Sequence, residues 1–381
     1  MPVPYARPTR LEFWIPRQIS VNATRGISMH EAIGIESLEV SADIEVIPRR
    51  SCLLCDEQGA ELYVEMADWL FGVLGNWSIR YCKGCDIAWL DPQPIPQDVG
   101  KLYSRYYTHV SKIPVTRLER LRQTMVECAE ADLGYPVDRP KGILSRLLFR
   151  VRPLARTAAL QVLGLPASDI GALLDVGCGN GEFIDRMRSL GWKVCGVDPD
   201  PKAVSHARSR GLEVFSDVVS DIPASNQFDV ITLNHVIEHA VDPVDLLREC
   251  RKRLRPGTGR LVMTTPNINS LGHWWFKDFW RGLEVPRHFV LFSEVALRKC
   301  AQQAGLAVQH LGTETRLAPM IYTASVYAKR GSRDVGQRVN FRARTKIAGY
   351  LFQAVEEMAI YLHKDVGEEI FCVSSAPSAK L

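Results

Sequence analysis

No stretch of this 381-residue chain reaches the roughly 18 consecutive apolar residues that a bilayer-spanning helix needs. The opening MPVPYARPTRLEFWIPRQ is basic but has no continuous apolar core, so a secretory signal is not expected. The cytoplasm is therefore the default compartment. Ten cysteines are too few for a disulfide framework over this length. A one-sided charge is missing as well: 47 basic and 43 acidic residues leave +4, which names no polyanionic partner. Disorder is excluded by the 46% of hydrophobic residues. What remains is a globular chain of two or three domains, at about 150 residues each.

The cysteines that are present are unevenly spread. Four form two Cys-x-x-Cys pairs, Cys52/Cys55 and Cys82/Cys85, on either side of residues 56–81. Two knuckles so spaced predict a tetrahedral tetrathiolate zinc site, closed and hence structural. A redox pair fits less well, because neither motif opens a helix after a strand. Cys128, Cys178, Cys195, Cys250, Cys300 and Cys372 lie mostly in apolar runs and read as small buried hydrophobes.

Residues 1–47 carry no catalytic pattern, and 48–96 read as a small zinc-ribbon-like domain closed by the linker DPQPIP. A helical linker is expected over 97–166. From Lys141 to Ser168 there is no acidic residue, while Lys141, Arg146, Arg150, Arg152 and Arg156 interleave with apolar side chains. That pattern suits a basic helix packed on the next domain, or one lying on a membrane surface. Peripheral membrane contact thus stays open.

From Ile170 onward, apolar runs alternate with helical patterns. ALLDVG, WKVCGVD, LEVFSD, FDVITLN, GRLVMTTP, LAVQHLG and GEEIFCVSSAP read as seven strands. Asp242 before Pro243, and Ser293 before EVALRKCAQQAG, read as helix caps. The predicted class is α/β, a parallel sheet covered on both faces, over 167–381 with a helical insert at about 317–364.

The first strand runs into Asp175-Val176-Gly177-Cys178-Gly179-Asn180-Gly181. Glycines there permit a tight turn and a close ligand, beside the free amides of a helix start. The spacing is G-x-G-x-G, with Glu182 where a dinucleotide loop would have its last glycine. A carboxylate there disfavours phosphates and suits a ligand with a cationic amino-acid end. The next strands end in Asp198, placed to grip ribose hydroxyls, Asp217, placed to meet an adenine amine, and Asn234-His235, beneath the reacting centre. The aspartates could be turn formers, but the ordered set at one sheet edge favours a binding site. No Tyr-x-x-x-Lys occurs, which disfavours a short-chain dehydrogenase.

DVGCGNG, GVDPDP, FSD, FDVITLNHVIEH and RLVMTTPN, in this order, resemble class I S-adenosylmethionine-dependent methyltransferases. The nearest subgroup includes ubiquinone-biosynthesis-like and sugar methyltransferases. The resemblance covers about Ala167 to Pro377 and implies a Rossmann-like seven-stranded sheet whose last strand is antiparallel. It implies S-adenosyl-L-methionine as methyl donor. Asp175 and the loop of Gly177, Cys178, Gly179, Asn180 and Gly181 would hold its methionine part. Asp198, with Pro199 beside it, would take the ribose, Asp217 the adenine, and Asn234 and His235 the region of the sulfonium. An N-terminal zinc ribbon before such motifs is similar to bacterial enzymes acting on sugars or envelope polysaccharides, and to certain ribosomal RNA methyltransferases.

Methyl transfer is an in-line displacement that the protein mainly aligns. A hydroxyl acceptor also needs a base, for which histidine suits neutral pH. His235, His239, His273 and His288 are the candidates. The segment WWFKDFWRGLEVPRHFVLFS resembles a run in similar family members, which favours His288 as base, with His235 second and Trp280 and Arg287 at the acceptor. His288 could equally be a hydrogen-bonded histidine within an apolar loop. Trp274, Trp275, Phe276, Phe279 and Trp280 could form a lid, a sugar platform, a membrane patch or plain core.

The expected acceptor is a small molecule or glycan, a hydroxyl of a sugar or envelope-polysaccharide precursor. An RNA methyltransferase using the ribbon as a clamp is the second reading. Against it, Asp56, Glu57, Glu61, Glu65 and Asp68 face only Arg80 and Lys83, a poor balance for binding nucleic acid. The chain also lacks Asn-Pro-Pro-Tyr and any Pro-Cys dipeptide, signatures of nucleic-acid methylation. A non-catalytic scaffold is the third reading, and the intact loop glycines and Asp198 count against it. Oligomeric state is not legible.

Overall fold

The computed structural model describes residues 44–103, 117–137, 152–223, 225–331, 342–362 and 364–376. Residues 1–43 and the stretch 141–151 of the basic linker therefore lie outside the described residues.

The ribbon region opens with β1 (Val46–Ile47), β2 (Ala60–Met66), β3 (Trp77–Cys82), β4 (Ile87–Asp91) and β5 (Gln93–Pro94). β2, β3 and β4 form an antiparallel meander, and β1 pairs with β5. Two helices follow, α1 (Arg117–Asp132) and α2 (Arg152–Ala159).

The main sheet is built from β6 (Ala172–Val176), β7 (Lys193–Val197), β8 (Val214–Phe215), β9 (Val230–Asn234) and β10 (Arg260–Pro266), joined by β12 (Ala307–Glu314) and β13 (Glu369–Ser375). Its order is β12-β13-β10-β9-β6-β7-β8. Six strands run in one direction, and β13 is antiparallel to both its neighbours. This is the class I methyltransferase sheet. Apolar runs such as ALLDV and VITLN are buried nearly throughout, which a strand tolerates only when helices cover both faces.

The covering helices start where side-chain caps dictate. After α3 (Glu182–Ser189), α4 (Pro201–Ser209) begins where Asp200 accepts from the Lys202 amide at 2.9 Å. Asp242 accepts from the Asp245 amide at 3.0 Å to open α5 (Pro243–Arg253). The short α6 (Leu271–Phe276) precedes β11 (Val290–Phe292), and Ser293 then caps α7 (Glu294–Gln303). The insert is a helical pair, α8 (Ala318–Lys329) and α9 (Ala343–Tyr361). Among the described residues no helix is long and apolar enough to cross a membrane.

The ribbon is not a free-standing module. β11 pairs with β4, Val290 opposite Trp89 and Phe292 opposite Ile87, making a four-stranded sheet β11-β4-β3-β2. All five residues of β4 are buried, so this strand needs neighbours on every side. Trp77, Ile79 and Trp89 belong to the same apolar core as Leu233, Leu261 and Phe289. Residues 48–96 and the sheet from 167 onward therefore share one interior.

Candidate active site

The loop after β6 uses its glycines in different ways. Gly177 and Gly181 hold positive φ values of 69° and 79°. A Cβ on them would meet Val236 at 2.6 Å and Leu212 at 2.5 Å, so packing forbids a side chain. Gly179, at φ 53°, faces open space with nothing within 4 Å. That is a cradle into which a ligand can come against bare backbone. Asp198, at the end of β7, ties this loop down. Its two oxygens accept from the Gly179 amide at 2.8 Å and the Asp200 amide at 2.9 Å. Asp175 is buried beneath, where Thr232 donates to it at 2.6 Å, and burial pushes its carboxyl up to about 7.

The remaining expected contacts follow along the same sheet edge. Cys178 is buried, Asn180 half-buried, and Pro199 and Asp217 exposed. Asp217 accepts from the next amide, Val218, at 3.1 Å. Asn234 ends β9, and its Oδ1 accepts from Thr264 at 2.7 Å and Arg316 at 3.2 Å. The carboxyl ends of β6, β7, β8 and β9 thus place Asp175, Asp198, Asp217 and Asn234 along one edge of the sheet, where open α/β sheets take ligands. The open face at Gly179, flanked by these acids, fits a ligand that is partly cationic and carries hydroxyls.

His235 is not the base that its position suggested. It sits in the left-handed region at φ 56°, and both ring nitrogens are taken. Nδ1 lies 3.2 Å from Glu238 and Nε2 lies 2.8 Å from Glu369. Burial alone would lower its pKa, but the two carboxylates outweigh it and raise it to about 9. Glu238 and Glu369 are held down near 2 despite burial, by His235 in both cases and by Arg316 at Glu369. Arg316 donates to Glu369 at 2.7 Å. The ring is an imidazolium with no lone pair to offer, a positioning element under Asn234.

His288 is different. Its Nδ1 donates to the Gly282 carbonyl at 2.7 Å, an assignment that follows from the partner being an acceptor. Burial drives its pKa down to about 4, so the ring is neutral and Nε2 keeps its lone pair. The nearest charge to Nε2 is Glu284, at 3.5 Å. His239 stacks edge-on at 4.7 Å, its own Nδ1 bound to the Arg287 carbonyl at 2.9 Å. Ligand atoms of Glu238, His239 and His288 all lie within 4.8 Å of one another. His273, by contrast, has both nitrogens engaged, with the Ile268 carbonyl at 2.5 Å and the Tyr63 hydroxyl at 2.9 Å.

Two expected acceptor contacts are corrected. Arg287 is wholly buried, forked onto Asp68 at 2.7 and 2.9 Å, with Glu284 at 3.2 Å. It clamps the ribbon to the loop before β11 and reaches no solvent. Trp280 is likewise fully buried, its indole N–H donating to Glu368 at 2.8 Å. Both were misplaced because their covering partners, Asp68 and Glu368, are far away in sequence. Of the other aromatics, Phe276 is core, while Trp274 and Trp275 stand out at the surface.

The four ribbon cysteines do converge. Their sulfurs lie within 4.8 Å of one another, with Cys55 and Cys82 3.7 Å apart. A tetrahedron with metal–sulfur bonds of about 2.3 Å has edges of about 3.8 Å. The two knuckles are built alike. Asp56 and Asp86, each just after a second cysteine, adopt φ 60° and 55° and return their amides to the Cys52 and Cys82 carbonyls at 2.9 and 2.8 Å.

Comparison with known proteins now bears on the crevice. Residues 144–311 match the family described as "Methyltransferase domain". The match spans 168 of the 381 residues. The chain is similar to a ubiquinone biosynthesis O-methyltransferase of Xanthomonas oryzae pv. oryzae, 38% identical over 103 residues, 25% of this chain and 43% of that protein. Its counterpart in a Caulobacter species is 37% identical over 103 residues, 25% of this chain and 40% of that protein. The chain thus spans less than half the length of the curated relatives it matches. Among solved structures, it is similar to a SAM-dependent methyltransferase from Archaeoglobus fulgidus, at 17% identity and TM-score 0.39, covering 62% of this chain and 99% of that one. One from Mesorhizobium loti is similar at 16% identity and TM-score 0.35, covering 54% and 92%. The matched residues include the Gly177–Gly181 loop, Asp198, Asp217, Asn234 and His288.

Proposed function

We propose that this chain moves a methyl group from S-adenosylmethionine to a hydroxyl of a small-molecule or glycan acceptor, such as a sugar or envelope-polysaccharide precursor. The observation that carries it is the loop at Gly179, open to a ligand and tied by Asp198 to the edge of β7. When bound, the donor supplies a methyl already activated on sulfur. The chain's own residues then bind and orient. Asp175 and the loop take the methionine end, Asp198 the ribose hydroxyls, Asp217 the adenine, and Asn234 the region of the reacting centre.

His288 is the proposed base, since its Nε2 is held unprotonated while its Nδ1 is committed to Gly282. The relatives named above are O-methyltransferases, in keeping with an oxygen acceptor. Zinc is proposed at Cys52, Cys55, Cys82 and Cys85, where the sulfur separation suits four thiolates and leaves no open position for catalysis. An RNA clamp is less apt, because Arg80, one of two cations from Cys52 to Cys85, is spent on Asp91 at 2.5 Å.

The test is calorimetric titration of the folded, zinc-loaded chain with S-adenosylhomocysteine, with NAD as control. Micromolar binding of the first alone is expected. Absence of binding to intact protein overturns the donor assignment and leaves a scaffold as the better reading.

A further inference from the structure

α9 is inside out. A helix at the surface of a water-soluble domain turns its apolar stripe inward. Here the protein-facing residues are Thr345, Gly349, Gln353 and Glu356, all buried. Outward, at three- and four-residue spacing, stand Ile347, Leu351, Val355, Met358 and Leu362, each 57–65% exposed, with Tyr350 and Tyr361 beside them.

Beside one aromatic contact, Phe352 on Tyr322 at 5.1 Å, the inner face is held largely by polarity and close approach. Gln353 donates to the Thr315 carbonyl at 3.0 Å. Gly349 lies so close to α8 that a Cβ would sit 2.7 Å from the Pro319 carbonyl oxygen. On α8, Thr323 and Ser325 return their hydroxyls to the Pro319 and Ile321 carbonyls at 2.6 and 2.8 Å. Small residues at the contact and hydroxyls satisfied within the helix are how helices pair when their outer surface meets lipid.

The charges fix which apolar environment this is. Every exposed charge on α9 and its cap is cationic: Arg342, Arg344 and Lys346. The end of α8 adds Lys329 and Arg330 at the same end of the pair, where the Arg342 amide donates to the Tyr327 hydroxyl at 3.0 Å. Of the helix's two acids, Glu356 is buried and Glu357 accepts from Thr315. A second copy of the chain could cover the stripe, but its own α9 would offer these cations no acidic counterpart.

We propose that the apolar stripe of α9, with the cations at its amino-terminal end, seats on the headgroup region of an anionic lipid bilayer. The helix lies along the surface rather than across it, its stripe sunk about 5–10 Å to the acyl boundary. The cations meet the negative surface. This goes beyond the methyl-transfer reading and does not depend on it.

The test is co-sedimentation of the full chain with vesicles of phosphatidylcholine mixed with phosphatidylglycerol, against phosphatidylcholine alone. Binding to the mixed vesicles is expected, weakened by salt and by at least tenfold on neutral ones. Leu351→Glu with Met358→Glu abolishes it, and Arg344→Glu with Lys346→Glu weakens it at least tenfold. Both double variants keep the parent's thermal transition, because the altered side chains already face outward. The proposal is overturned if mixed vesicles go unbound or the first double variant binds as well as the parent. It also falls if light scattering finds a dimer that this variant splits while vesicles stay unbound.

Discussion

Asp198 serves two tasks with one carboxylate. It holds the Gly179 and Asp200 amides, and in the proposed function its remaining lone pairs would take the ribose hydroxyls. Removing it frees the loop and strands the ligand hydroxyls together. Asp198→Ala is expected to weaken S-adenosylhomocysteine at least tenfold, about 1.4 kcal/mol, by calorimetry. Unchanged affinity would remove the ribose role. His288→Ala should keep that affinity and lose turnover, whereas retained turnover would return the residue to packing. These residues were readable because the glycine spacing and the strand-end acids are local. His235 was misread because one of the carboxylates that occupy it, Glu369, lies 134 positions away, on a strand two places along the sheet. Arg316 escaped notice for the same reason, with no motif around it.

The strands of the main sheet were legible as apolar runs punctuated by Gly, Asp and Pro, and the caps at Asp242 and Ser293 fell where expected. β11 was not. Val290–Phe292 is too short to show a period, and its partner strand precedes it by some two hundred residues. The insert was read as helical, but the inverted polarity of α9 is invisible without knowing which face packs. That inversion leaves Glu356 buried, with neither oxygen bonded among the described residues, near Glu368. Burial pushes both carboxyls up, aided by repulsion from Glu368 at Glu356 and from Glu369 at Glu368. An unfolded Glu loses its proton near pH 4.5, whereas the folded one must keep it, so this pair costs stability increasingly as pH rises above that point. Glu356→Gln should therefore raise the melting temperature at pH 8 by roughly 2–4 °C, about 1 kcal/mol, with the gain vanishing at pH 4. A calorimetric scan at both values decides it, and equal effects at both would show that the carboxyl is ionised in the fold.

For the molecule as a whole, the shared sheet would decide how loss of the proposed zinc is felt. A free-standing ribbon would melt alone and leave the rest unchanged. Here β4 is bound to β11, and Arg287 reaches back to Asp68 at no solvent exposure. Chelating the metal, or Cys82→Ser, should lower the main thermal transition by about 10 °C rather than add a separate small one. An unshifted main transition would mean that the ribbon is thermodynamically separate.

The same join sets an order of events in synthesis. β2, β3 and β4 leave the ribosome early, but the edge strand that completes their sheet follows only at Val290–Phe292. Until then β4 carries an open, apolar edge of the kind that invites wrong partners. A metal taken up by the four thiols at that stage would hold the nascent hairpins together while most of the chain is still being made. Zinc supply during growth should thus govern the yield of folded protein as well as its stability.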